Sequence, residues 1–147
     1  VAMKDASRTE AGDIFSLYRT IWMTAIHAPF GAILRWKLSF LNKRKYILCR
    51  WIPRGTLTAN IIGSIISVID AAVLSRYNIS NSMTFHALVG LKVGFAGCLT
   101  TVSTMVDEVD MLNDKYPRGG KAYLYPIASL TLACLLGLCI YSPFVRS

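Results

Sequence analysis

Asn60 and Lys92 stand out chemically, because each is strongly polar within a long apolar stretch. The Asn60 amide offers two N–H donors and a carbonyl acceptor. At helical spacing it shares a polar face with Thr56 and Ser64, beside a face of small residues, Ala59, Gly63, Ser67 and Ala71. At membrane depth such an amide either joins helices through a hydrogen bond of about 1 kcal/mol or presents a donor to a permeating anion. Lys92 lies inside Gly90-Leu91-Lys92-Val93-Gly94, a GxxxG spacing that signals close helix packing. A charge at that depth calls for a wet cavity or a partner.

The segment that follows, Gly94-Phe95-Ala96-Gly97-Cys98-Leu99-Thr100-Thr101-Val102-Ser103-Thr104-Met105, mixes apolar residues with Gly, Thr and Ser. These are poor helix formers. Backbone freed from a helix at membrane depth survives only where protein buries it or where it lines an aqueous cavity. The composition therefore predicts a helix broken between Gly97 and Met105 at a functional site. Its freed carbonyls could meet a cation, and its amides and hydroxyls an anion. Asp107, Glu108 and Asp110 come next, marking either a water-filled vestibule or the membrane interface.

Long helices must position these groups. The chain is 54% hydrophobic and only 16% charged, against about 25% charged in ordinary soluble domains. About 20 apolar residues cross a bilayer core, and four such spans are legible, near residues 20–41, 55–74, 85–112 and 122–144, with residues 1–19 as an external lead-in. Together they make one all-α membrane domain over residues 1–147. Arg35 and Lys37 end the first span, where long cationic side chains reach the interface and Trp36 suits an interfacial belt. Basic residues gather after the first span (Lys43, Arg44, Lys45, Arg50, Arg54) and after the third (Lys115, Arg118, Lys121). The excess of basic residues in cytoplasmic loops puts both loops in the cytoplasm and both termini outside. Between apolar spans these clusters speak for membrane loops, not for nucleic acid.

Cys49, Cys98, Cys134 and Cys139 lack metal-ligand spacing, and His27 and His86 have no motif partner, so both histidines read as packing or interfacial residues. Tyr123, Tyr125 and Tyr141 suit the two interfaces, and the fourth span reads as a packing helix. No nucleophile, base and orienting group converge, which argues against an enzyme. A first residue other than methionine suggests a piece of something longer.

Three motifs carry a resemblance. Gly31-Ala32-Ile33-Leu34-Arg35-Trp36, Gly55-Thr56-Leu57-Thr58-Ala59-Asn60-Ile61-Ile62-Gly63 and the Gly94–Met105 segment, in this order, resemble the motifs of the CrcB/Fluc fluoride channels. The nearest likeness is to the C-terminal half of the two-domain eukaryotic fluoride exporters. The resemblance implies a four-helix domain with a broken third helix, packed antiparallel against a second such domain, fused or separate, around two pores. It implies a structural sodium ion held by the backbone carbonyls of Gly97 and Thr100. It also implies an anion pathway drawing on Asn60, Arg35, Thr101, Ser103 and Thr104, and passive export of fluoride across the cell membrane.

One departure is large. The family's two pore phenylalanines correspond to Val102 and Met105, which lack the positive ring edge that can face an anion. A homodimer of this chain would have no such aromatic in either pore, so the chain is expected to need a partner half. Two other readings stay open: a proton-coupled transporter using Asp107 or Glu108, and a mainly structural half supporting a pore in its partner.

Overall fold

The computed structural model describes residues 2–43, 51–77, 79, 83–117 and 119–146. Within these residues every regular element is helical. Helix α1 (Ala2–Ser39) continues into a 3-10 turn (Phe40–Lys43), followed by α2 (Arg54–Tyr77). The third span is built in pieces: α3 (Met83–Gly90), a π-helical segment (Leu91–Ala96), the short α4 (Gly97–Leu99), and then α5 (Ser103–Lys115). Helix α6 (Lys121–Arg146) closes the chain. Most of the basic loop after the first span, and Arg118, lie outside the described residues, as does Cys49.

Local chemistry accounts for the ends. Pro53 precedes the first residue of α2, where a missing N–H costs nothing, and its carbonyl accepts from Leu57 N at 3.1 Å. Helix α5 stops before Pro117, which bars the α conformation to the residue ahead of it; Tyr116 turns to φ −135° and ψ 61°. Gly120 holds φ +59°, open to glycine, and its carbonyl starts α6 by accepting from Leu124 N at 3.0 Å.

Among the described residues, three stretches are long and apolar enough to cross a membrane: Arg54–Tyr77, Met83–Lys115 taken through its break, and Lys121–Phe144. The expected first span, 20–41, covers the second half of α1 and enters the 3-10 turn; α1 also carries Arg19, Arg35 and Lys37 and is not among the three. Helix α1 nevertheless packs along α3, the π segment, α4 and α2. It also begins well before residue 20, so the expected lead-in is helical from Ala2 onward.

Glycine sets this packing. A Cβ on Gly94 would fall 2.3 Å from the Thr24 carbonyl oxygen and 3.2 Å from Ala28 N, and one on Gly31 would fall 2.2 Å from the Phe95 carbonyl oxygen. Gly90 likewise abuts Met23. The GxxxG spacing is thus the seam between α1 and the third span. Backbone cannot yield as a side-chain tip can, so Gly94→Ala is expected to destabilise the fold by about 2 kcal/mol, as overpacking does; a thermal melt in detergent checks this.

Helix α6 packs on α2 and α5. Its inward residues include Tyr125, which the sequence reading placed at an interface; it is instead 2% exposed. The expectation failed because aromatic character fits a belt and a core equally, and only a partner for the hydroxyl separates them.

Candidate functional site around the broken helix

The break is narrower than the sequence suggests. Gly97–Leu99 remains helical and a new helix starts at Ser103. Thr100 is extended, with φ −73° and ψ 151°, and Val102 returns to helical angles.

Asn60 holds the break in place. Its Nδ2 donates to the Thr101 carbonyl at 3.1 Å, and its Oδ1 accepts from Thr101 N at 2.8 Å. Gly63, one turn along α2, allows this approach, because a Cβ there would lie 2.4 Å from Thr100 Cγ2. Of the two readings of Asn60, the interhelical bond is therefore present. One amide hydrogen is left over after the bond to the carbonyl.

The clamp also changes what the carbonyls can do. In an unbroken helix Thr101 N would close on the Gly97 carbonyl, and Thr104 N on the Thr100 carbonyl. Here Thr101 N goes to Asn60, and Thr104 N goes to Thr101 Oγ1 at 3.4 Å. Gly97 is exposed, with open space where a Cβ would stand. Among the described residues no three His, Cys, Asp or Glu side chains gather as metal ligands. The oxygens suited to a hard cation at the break are backbone carbonyls and the hydroxyls of Thr100, Thr101 and Ser103.

Thr101 separates two cavities. One, of about 240 Å³, is lined by Arg35, Trp36, Thr56 and Ala59 together with Thr101 and Thr104. The other, of about 420 Å³, is lined by Asn60, Ser64, Val102, Met105 and Ser129 together with Thr101. Thr101 Oγ1 lies 3.2 Å from both Ser103 Oγ and Thr104 Oγ1. Asn60, Ser103 and Thr104 thus all meet Thr101, and Arg35 lines a cavity that Thr101 shares. Val102 is 69% exposed on the outer side of the break, whereas Met105 packs inward against the Leu112–Tyr125 cluster.

A second polar cluster, which the sequence reading did not assemble, sits where α2 begins. Glu108 Oε1 accepts from Thr56 Oγ1 at 2.5 Å and from Asn42 Nδ2 at 3.0 Å, and Oε2 accepts from Tyr125 OH at 2.8 Å. Asn42 Oδ1 in turn accepts from Gly55 N at 2.5 Å. One buried carboxylate therefore ties together the 3-10 turn, α2, α5 and α6. Asp107 and Asp110, its neighbours in sequence, are exposed. The histidines pack as expected: His27 Nδ1 donates to the Met23 carbonyl at 2.7 Å, and buried His86 pairs with Thr20 at 2.9 Å.

Residues 22–141 match the family described as CrcB-like protein, Camphor Resistance (CrcB). The chain is 35% identical to Fluoride export protein 1 of Candida albicans over 82% of its own length but only 30% of that protein's. It is 32% identical to the fluoride-specific ion channel FluC of Photobacterium profundum over 83% of its own length and 94% of the bacterial protein. The FluC of Pseudomonas aeruginosa is 34% identical over 83% of this chain and 93% of its own. The family match spans every element from within α1 to within α6, including both the clamp and the break, and on that basis this multi-pass membrane protein belongs to the CrcB family.

Proposed function

We propose that the chain forms one half of a passive, fluoride-selective channel that exports fluoride across the cell membrane. The observation that carries this reading is the break at Thr100–Val102, clamped by Asn60 and flanked by cavities that end in donors and in Arg35. Fluoride is small and strongly hydrated, and a selective path replaces its water with hydrogen-bond donors while binding weakly enough for release. The spare Asn60 amide hydrogen and the hydroxyls around Thr101 offer such donors. Arg35 raises the local anion concentration at one mouth. The inside-negative membrane potential then drives the anion outward.

The other half is a second domain of the same kind in antiparallel orientation, fused or separate. Exposed Gly97, Val102 and Ser103 support this, since break residues at membrane depth need a protein face opposite them. The freed carbonyls of Gly97 and Thr100 would hold a sodium ion there, joining the halves electrostatically. The missing pore phenylalanines at Val102 and Met105 favour one further reading, in which this half mainly supports a pore in its partner.

Proton coupling through Glu108 fits less well, because three donors already engage its carboxylate. Vesicles loaded with fluoride and carrying the full-length protein test the proposal. Efflux recorded with a fluoride electrode is expected to exceed chloride efflux by orders of magnitude and to be indifferent to an imposed pH gradient. Efflux that requires the gradient would establish a coupled transporter instead.

A further inference from the structure

A cavity of about 260 Å³ lies between the 3-10 turn, the segment leading into α2, and α5. Trp51 and Pro53 line it just ahead of the span that begins at Arg54, and Lys115 lines it at the end of the next span. The cavity therefore sits at the membrane interface, and the basic residues on that side place it in the cytoplasmic leaflet. Its floor is negative and its rim positive. Buried Glu108 and Leu112 form the floor, whereas Met111 and Lys115 are exposed at the rim. Thr56, Asn42 and Tyr125 donate to the Glu108 carboxylate. A carboxylate has about four acceptor positions, so one is left over. Tyr116 also lines the cavity, with the Lys115 ammonium 5.6 Å and the Lys121 ammonium 4.3 Å from its ring centre. Among the described residues no carboxylate pairs with either ammonium. Two like charges gathered on one ring call for an anion. A second domain seated on Val102 and Ser103 meets the other side of α5, which continues through exposed Val106 and Asp110. Glu108, Met111 and Lys115 lie about half a turn round the helix from that side.

A simple anion would be repelled by Glu108, and a simple cation by the lysines. A zwitterion satisfies both. Glu108 and Lys115 stand two turns apart, about 10 Å along the helix axis, which is the reach of a phosphoethanolamine group hydrogen-bonded at each end. We propose that this cavity binds the headgroup of a phosphatidylethanolamine molecule, with its ammonium inward on Glu108 and its phosphate outward on Lys115 and Lys121. Trp51 and Tyr116 supply aromatic walls, which suit an ammonium. The acyl chains leave past Met111, which is 70% exposed and one turn nearer the hydrocarbon core than Lys115. A choline headgroup fits poorly, because its methylated nitrogen has no hydrogen to donate. A glycerol headgroup brings no cation for the carboxylate. This site requires only that the chain span a membrane and is indifferent to the ion it conducts.

Native mass spectrometry of the full-length protein in detergent reads the site, with dioleoyl phosphatidylethanolamine, phosphatidylcholine and phosphatidylglycerol supplied in equal amounts. Phosphatidylethanolamine is expected to be retained about fivefold more than either of the others, the order expected for one hydrogen bond. Lys115→Gln combined with Lys121→Gln is expected to cut its retention about twentyfold, the order expected for two lysines at a lipid phosphate. Glu108→Gln is expected to erase the preference and leave phosphatidylglycerol at least as well bound. Equal retention of the three lipids by the native protein would overturn the proposal, as would unchanged retention in the lysine variant. Phosphatidylglycerol ahead of phosphatidylethanolamine on the native protein would establish an anionic-lipid site instead. Free O-phosphoethanolamine that displaces the lipid at equal concentration would show that the headgroup alone is the ligand, which also ends the proposal. Where Glu108→Gln does not accumulate, the lipid series and the lysine variant decide without it, since neither lysine is buried.

Discussion

Asn60→Ala is expected to lower stability by about 3 kcal/mol and to stop fluoride efflux. The residue makes two hydrogen bonds to one buried amino acid, at 3.1 and 2.8 Å. Alanine would leave both the N–H and the C=O of Thr101 without a partner, at about 1–3 kcal/mol for each unsatisfied group. The other hydrogen bonds of Thr100 and Thr101 stay within the broken span itself, so without Asn60 the wall between the two cavities would lose its shape. Asn60→Asp sharpens the test. It keeps an acceptor for Thr101 N but sets a carboxylate oxygen against the Thr101 carbonyl, so it too is expected to fail. Melting temperature in detergent and efflux from vesicles read the two consequences separately. Protein that accumulates normally but conducts nothing would exclude a merely supporting role for this half. Efflux that survives the substitution would establish that role.

The second large effect is expected at Glu108. Glu108→Ala strips the acceptor from Thr56, Asn42 and Tyr125 at once, in a joint that unites four elements. Breaking a buried charged network typically costs about 3–5 kcal/mol, enough for the protein to fail to accumulate in the membrane. Glu108→Gln keeps the shape and an acceptor at Oε1 for Thr56 and Asn42. Its new amide can donate to the Tyr125 oxygen in place of the lost bond. It is therefore expected to accumulate, with a melting temperature only a few degrees below the native protein. Two variants behaving alike would show that the carboxylate's charge, and not the network, is what matters.

The contrast between these sites explains what the sequence could reveal. The break is legible because its causes are local: glycines and hydroxyl residues crowd one apolar stretch, and Gly90 and Gly94 stand four apart. The position of Asn60 follows from the period of a single helix. Its partner does not, since Thr101 lies 41 residues away. The Glu108 joint is less legible still, because its donors stand 66, 52 and 17 residues off, in segments without a shared pattern. Tyr125 resists placement for the same reason, since its hydroxyl partner is Glu108 on another helix. The break came out narrower than expected because backbone hydrogen bonds persist up to Thr100 N, which donates to the Ala96 carbonyl at 3.0 Å despite the poor helix formers around it.

The Asn60 clamp has a consequence for motion. The N–H and the C=O of Thr101 belong to successive peptide planes, and Asn60 grips one group of each. Neither plane can flip without releasing a bond, so the chain there cannot offer an amide to an approaching ion and then a carbonyl to expel it. What remains free to turn at this point are hydroxyl rotors, which reorient in picoseconds to nanoseconds. Under the channel reading proposed above, the groups that adapt to an ion at this point are hydroxyl protons, on a backbone that does not turn with it.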